Sequence, residues 1–389
     1  MIIKNGNVIT PDKVLFGTDI KITDGRIVKI DKNLTGDVSF DATGLFVCPG
    51  FVDIHTHGGY GCDFMDEDDE AFETALRFHS ENGTTSILAS SVTAPVESIL
   101  SMVKRTERFM NKEEKVCRVL GAHIEGPYIS FKNKGAQKAE YLRVPAKDDY
   151  SFILENNNVI KNVTISPELE GAEDMAKSLK EKGIIVSCGH DDAMSDSIYK
   201  VIDAGMTNCT HWYCAMSTAK VVEGKRYMGI MEIGLTDDRL TLELLADNHH
   251  LPPELVKIAY KCKGADKLCL VSDCLRAGGM PRDGRVYTLG ASDDEDTTKF
   301  IVADGVARLT DGTRFAGSIQ SLRQMVQNLV EDAGISLVDA VKMASLTPAK
   351  IIGMDNDLGS IEEGKRADIF IMDRDFKPVM TIIDGKARD

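Results

Sequence analysis

Apolar residues occupy every second position in two stretches near the start of the chain, MIIKNGNVIT and DIKITDGRIVKID. Each contains an Asn-Gly or Asp-Gly pair, the residues that tolerate the positive φ of a tight hairpin. The same alternation returns at the far end, in ADIFIM from Ala367 and VMTIIDGK from Val379. Both ends therefore predict short strands. Together they predict one small β-sandwich domain assembled from residues 1–48 and 355–389.

The middle of the chain, 49–354, has a different rhythm. Helical periodicity over 68–82, 96–111, 172–183, 194–205, 252–263, 319–334 and 336–346 separates the short apolar runs SILAS, VLGAHIEG, VTISPE, IIVSCGH, TNCTH, LTLELLAD and LCLVSD. Strand and helix in alternation predict a parallel sheet, hence an α/β fold. About eight repeats favour a closed (β/α)8 barrel over an open sheet. No GxGxxG follows the first strand, which argues against dinucleotide binding.

Barrel enzymes place their reactive groups at the C-terminal ends of strands. Here strand after strand ends in a residue that can ligate a metal. The first runs Phe51-Val52-Asp53-Ile54-His55-Thr56-His57, with His55 and His57 two apart and so on one face. Others end in His123-Ile124-Glu125, Cys188-Gly189-His190, Cys209-Thr210-His211 and Ser272-Asp273. Any one such histidine is commonly a hydrogen-bonded core residue; five coincidences at successive strand ends exceed what packing requires. Imidazole and carboxylate donors of this kind suit Zn²⁺ or Fe²⁺, as one ion or two. Asp273 ends an apolar strand, where an unpaired carboxylate is costly, and is the candidate general base. Glu125 better matches the ligand position than His123, and His79 falls within a predicted helix.

Composition narrows the partners. The chain has 389 residues, 43% apolar and 28% charged, which suits a globular protein with a sizeable core. A net charge of −15 argues against sequence-independent nucleic-acid binding. No apolar run approaches the ~20 residues of a membrane helix. The N-terminus breaks at Asn5-Gly6, unlike a secretory signal. Nine scattered cysteines without a CxxC pair fit a reduced, cytoplasmic setting.

PGFVDIHTHG, HIEGPYIS, the Gly-His pair at 189–190, THWYCAM, ELLADNHH, LCLVSD and FAGS follow one another along nearly the whole chain. In that order they resemble the N-acetylglucosamine-6-phosphate deacetylases of the amidohydrolase superfamily. The resemblance implies Glu125, His190 and His211 as principal metal ligands, His55 and His57 as holders of a second ion, and Asp273 as base and then acid. It implies substrate contacts at Ala136, Gln137, Cys214, Ala215, Arg226, His250, Phe315, Ala316 and Gly317. It also implies a homodimer in which Arg226 and His250 act within or across subunits, and a phosphorylated amino sugar as substrate. A guanidinium such as that of Arg226 suits phosphate. The family has Asn where this chain has Cys214, so another N-acyl amino sugar, such as N-acetylgalactosamine 6-phosphate, is the alternative substrate. A non-catalytic scaffold is the remaining alternative, but such a chain would be expected to have lost a ligand or Asp273.

Overall fold

The computed structural model describes residues 1–36, 39–146, 148–292 and 297–388. Eight parallel strands form its central sheet: β1 (Phe51–Thr56), β2 (Thr84–Ser91), β3 (Arg118–Glu125), β4 (Ile160–Ile165), β5 (Ile185–Cys188), β6 (Met206–Cys209), β7 (Thr241–Leu244) and β8 (Leu268–Leu270). Each neighbours the next in chain order. Their residues are almost all buried, as expected where helices cover the outside and side chains fill the inside. β8 meets β1 through the segment that follows it, where the Asp273 N–H donates to the His55 carbonyl at 2.9 Å. That contact closes the barrel.

The helices lie where the apolar spacing predicts, at Asp69–Glu81, Val96–Met110, Ala172–Glu181, Ser195–Ala204, Pro253–Lys263, Leu322–Glu331 and Leu337–Ala344. Their ends carry local signals. Asp68 caps the first by accepting from the Glu70 N–H, and Ser321 with Gln324 forms a capping box on the sixth. Shorter helices at Ser151–Glu155, Ile230–Thr236 and Leu346–Ile351 were not evident from periodicity, since one or two turns hardly register a period.

Strands from both chain ends share one further sheet, in which Ile369–Met372 pairs antiparallel with Phe46–Pro49 and Asn7–Val8 pairs parallel with Phe46–Val47. The sheet folds over on itself: the Ile27 N–H donates to Lys365 O and the Ala367 N–H to Gly25 O. Ile3, Ile20, Ile27, Val47, Ile369, Ile371 and Ile382 fill the space between, giving the sandwich its own core. Its other face touches the barrel through Phe370, whose ring lies 5.4 Å from that of Phe51. Gly83 permits this approach, because a Cβ there would sit 2.5 Å from the Phe370 ring.

One element escaped the sequence pattern. A four-stranded antiparallel sheet (Val286–Thr288, Lys299–Ala303, Val306–Leu309 and Phe315–Gly317) lies between β8 and the helix Leu322–Glu331. It ends beside Asp273, where the Ser318 N–H donates to Asp273 O at 3.0 Å.

Candidate metal centre and active site

Five candidate ligands from four strand ends meet at one point. Glu125 closes β3, while His190 and His211 each lie two residues beyond β5 and β6. His55 is in β1 and His57 just after it, and their Nε2 atoms approach to 3.3 Å, as a shared face requires. Glu125 Oε1 lies 2.9 Å from His211 Nε2, 3.2 Å from His190 Nε2 and 3.6 Å from His55 Nε2, and Oε2 lies 3.5 Å from His57 Nε2. Two groups of potential ligands result, His55/His57/Glu125 and Glu125/His190/His211, joined by the one carboxylate.

The donor set fits divalent cations. Ligand atoms about 2.0–2.2 Å from a tetrahedral ion stand roughly 3.3 Å apart, and the separations here span 2.9–3.6 Å. The imidazoles are also turned to offer Nε2. His55 Nδ1 donates to Glu243 Oε2 at 3.0 Å, and His190 Nδ1 donates to the Asn133 carbonyl at 2.9 Å. Such bonds fix the tautomer and leave the inner nitrogen's lone pair free. Glu243 is fully buried, and its Oε2 also accepts from the His211 backbone N–H at 3.1 Å.

The closeness of carboxylates and imidazoles also shifts their proton affinities. Burial opposes charge on His57, yet the hydrogen bond it donates to Asp273 and the charge of Glu125 push its imidazole up to about 9. His211 reaches about 9 for the same reasons, burial being outweighed by Glu125. Burial would raise Glu125, but its bonds to His190 and His211 hold it well below the usual carboxylate range. Asp273 is also lowered: burial raises it, and the bond to His57 with the charge of His55 more than reverses that. Its Oδ1 stands 3.2 Å from His57 Nε2.

His123 contributes differently. Burial drives it well below its ordinary value, and its ring nitrogens share hydrogen bonds with the hydroxyls of Ser90 (3.0 Å) and Thr164 (2.8 Å). His79 is buried on its helix and reaches Thr56 and Gly58, bracing the turn after β1.

The strand ends are bent into sparsely populated backbone. His190, His211 and Asp273 have φ of 50°, 30° and 43°, in the left-handed region. Such conformations persist where surrounding structure imposes them, and they concentrate at functional sites.

Above this floor opens a cavity of about 400 Å³. Ala136, Gln137, Cys214, Ala215, His250, Phe315, Ala316 and Gly317 all line it, with His57, Glu125, His190, His211 and Asp273 below. Gln137 connects wall to floor, donating to Glu125 Oε2 at 2.8 Å and accepting from the Thr93 N–H at 2.7 Å. Gly135 lets this loop pass over His190, with φ of 58° and room for a Cβ only 3.0 Å from the ring. His250 donates to Asp247 at 2.8 Å and packs 4.9 Å from the Phe315 ring. Arg226 stands apart, exposed on a hairpin (Lys220–Val222 with Lys225–Tyr227) outside this cavity.

Sequence reasoning passed over Glu243, Asn133, Tyr213 and Arg314. Only Glu243 left a signal, a carboxylate in the middle of the apolar run LTLELLAD. The others lie on loops or beside them, where no period marks a direction.

Comparison with known proteins agrees with this geometry. The amidohydrolase family profile matches residues 46–388. The chain is 32% identical over 373 residues to the N-acetylgalactosamine-6-phosphate deacetylase of Escherichia coli O157:H7, covering 96% of this chain and 95% of that protein. It is 32% identical over 394 residues to the N-acetylglucosamine-6-phosphate deacetylase of Bacillus subtilis, covering 99% and 96%. A mutant of the N-acetyl-D-glucosamine-6-phosphate deacetylase of Mycobacterium smegmatis, solved in complex with N-acetyl-D-glucosamine-6-phosphate, superposes with a TM-score of 0.90 at 28% identity, covering 100% of this chain and 98% of that one. The chain belongs to the amidohydrolase family, within its group of N-acetylglucosamine-6-phosphate deacetylases.

Proposed function

We propose that this protein removes the N-acetyl group of N-acetylglucosamine 6-phosphate, giving acetate and glucosamine 6-phosphate. The observation that carries the reading is Asp273, an ionisable carboxylate set beside two ligand groups that share Glu125, at the floor of a cavity open to solvent. Glu125, His190 and His211 would hold one divalent cation, Zn²⁺ or Fe²⁺, and His55 and His57 with Glu125 a second. A cation there supplies Lewis acidity, polarising an acyl oxygen and making water acidic near neutral pH.

The chain's own residues do the rest. Asp273 accepts a proton from water as the water oxygen bonds to the acetyl carbon. It then returns that proton to the amide nitrogen as the C–N bond breaks. Gln137 and the Phe315-Ala316-Gly317 strand border the space above, where the sugar ring would lie. The experiment is acetate release from N-acetylglucosamine 6-phosphate by metal-loaded protein beside Asp273→Asn. Turnover lost in the variant supports the reading; no turnover by the folded, metal-loaded wild type refutes it.

A second substrate has a specific observation behind it. Cys214 lines the cavity, and the E. coli relative is named for the galactose epimer. A thiol is a weak donor and a weak acceptor, so it discriminates poorly between hydroxyl orientations. Comparing kcat/KM for the two epimers decides between them. We further propose that the chain works as a cytoplasmic homodimer. Its nine cysteines are all free, and Val221 and Val222 are exposed on the hairpin that carries Arg226. Among the described residues no helix is long and apolar enough to cross a membrane.

A further inference from the structure

The Glu243 carboxylate touches one residue from each of the two ligand groups, yet it does not line the cavity. Its Oε2 accepts from His55 Nδ1 at 3.0 Å and from the His211 backbone N–H at 3.1 Å. Its Oε1 accepts from Asn208 Nδ2 at 2.7 Å. Glu243 is fully buried, and among the described residues its only ionic partner is the His55 ring. A carboxylate buried without lysine or arginine is costly, so its place behind the metal centre calls for a task.

The two contacts act differently. At His55 the carboxylate fixes the ring, accepting the Nδ1–H and leaving Nε2 for a cation. The His211 ring has no such help, since its Nδ1 is buried without a hydrogen-bond partner among the described residues. There the backbone sets the direction. His211 holds φ of 30°, a conformation that surrounding contacts must impose. Glu243 supplies two of them, its side chain on the His211 N–H and its own carbonyl on the Trp212 N–H at 2.7 Å. His190 is independent of this arrangement, being held by the Asn133 carbonyl.

Behind Glu243 runs a chain of neutral polar side chains, one from each of β4, β5 and β6. Asn208 Nδ2 also donates to Ser187 Oγ at 3.0 Å, and Ser187 Oγ donates to Asn162 Oδ1 at 2.6 Å. Thr241 Oγ1 donates to Asn208 Oδ1 at 2.7 Å. Asn162, Ser187 and Asn208 are fully buried. The amide of Asn208 is engaged at both ends, so it cannot turn, and it keeps the carboxylate from turning. We infer that Glu243 is a positioning residue shared by both cation positions. Oriented by Asn208, it aligns the His55 ring for one position and the His211 backbone for the other, so altering it weakens both together. This rests on Glu125 being the common ligand of two cations, not on the identity of the sugar.

The test titrates metal-free protein with Zn²⁺ against a chelator. Wild type should bind two equivalents, and Glu243→Gln should lower the affinity for both by about tenfold or more. In a His57→Asn background only the Glu125/His190/His211 position is complete. Adding Glu243→Gln there should lower the remaining affinity by a like factor, which reports the His211 contact because that position lacks His55. Asn208→Ala should lower both affinities by less. If Glu243→Gln does not fold, Asn208→Ala decides: a fall at both positions supports the proposal, and none overturns it. Asn162→Ala, equally buried but touching no ligand, should leave both unchanged. A loss confined to the equivalent that His57→Asn removes overturns the proposal, as does an unchanged affinity in the double variant or an equal loss in Asn162→Ala. Wild type that takes up fewer than two equivalents overturns it together with the two-cation reading, whereas acetate release, assayed apart, bears on the deacetylase reading alone.

Discussion

The floor and the wall of the cavity are built on different terms. At the floor the groups are buried, and three of them are braced from behind: His55 by Glu243, His190 by the Asn133 carbonyl, Glu125 by Gln137. At the wall, Arg314 is exposed, and Cys214 lines the cavity with a thiol. The floor rests on strand ends that the barrel fixes, and the wall on loops and an added sheet. Reaction chemistry therefore belongs to the rigid part and substrate choice to the adaptable part, which is how one barrel can serve several substrates.

Perturbing each region tests that division. Stripping the metal should have the largest effect, abolishing turnover until Zn²⁺ or Fe²⁺ is restored. It should also lower thermal stability, since a ligand at a thousand times its Kd stabilises by about 4 kcal/mol. A pH dependence follows, because an ion must displace the protons on His57 and His211, both raised to about 9 from an ordinary value near 6.5. Metal affinity, measured by chelator competition, should climb from pH 6.5 to 9 and then level off. Over the same window the metal-free protein should lose the stability that those protonated rings contribute, seen as a falling Tm.

Asp273→Asn should come next, reducing kcat by about 10²–10⁴-fold with metal content intact. Glu243→Gln removes a charge that touches no substrate. Metal affinity should weaken by about 10–100-fold, as titration of the metal-free variant would register. At the wall, Cys214→Asn should shift the preference between the two N-acetylhexosamine 6-phosphates by less than about tenfold, or roughly 1.4 kcal/mol, in competing-substrate assays. A wall substitution that equals Asp273→Asn on both epimers would break the comparison.

Much of this was legible in the sequence where a regular element sets direction. His55 and His57 had to share a face because strand side chains alternate, and the seven longer helices announced themselves by their period. A β-sandwich drawn from both chain ends was expected from their matching strand patterns, and the particular pairing of Ile369–Met372 with Phe46–Pro49 came only with the structure. What stayed hidden depends on loops. The sheet from Val286 to Gly317 is made of short strands broken by charged residues, and no period survives in it. Arg314 is one surface arginine among many until the fold turns it toward the cavity. Arg226 shows the converse: its chemistry suits phosphate, but the hairpin holds it outside its own subunit's cavity, which leaves it the expected role across subunits. The positive φ at His190, His211 and Asp273 was equally invisible, since tertiary contacts impose it.

The closure of the barrel through Asp273 bears on how the molecule is made. Thr56 and Cys274 touch although 218 residues separate them, so closing this contact costs more loop entropy than pairing strands adjacent in the chain. Glu125, His190 and His211 follow from β3, β5 and β6 of one continuous stretch and need no closure to meet. During refolding, the capacity to take up metal should therefore return before the capacity to turn over substrate. A half-wound barrel holds an ion but has no base beside it, so hydrolysis begins only when the ring is shut.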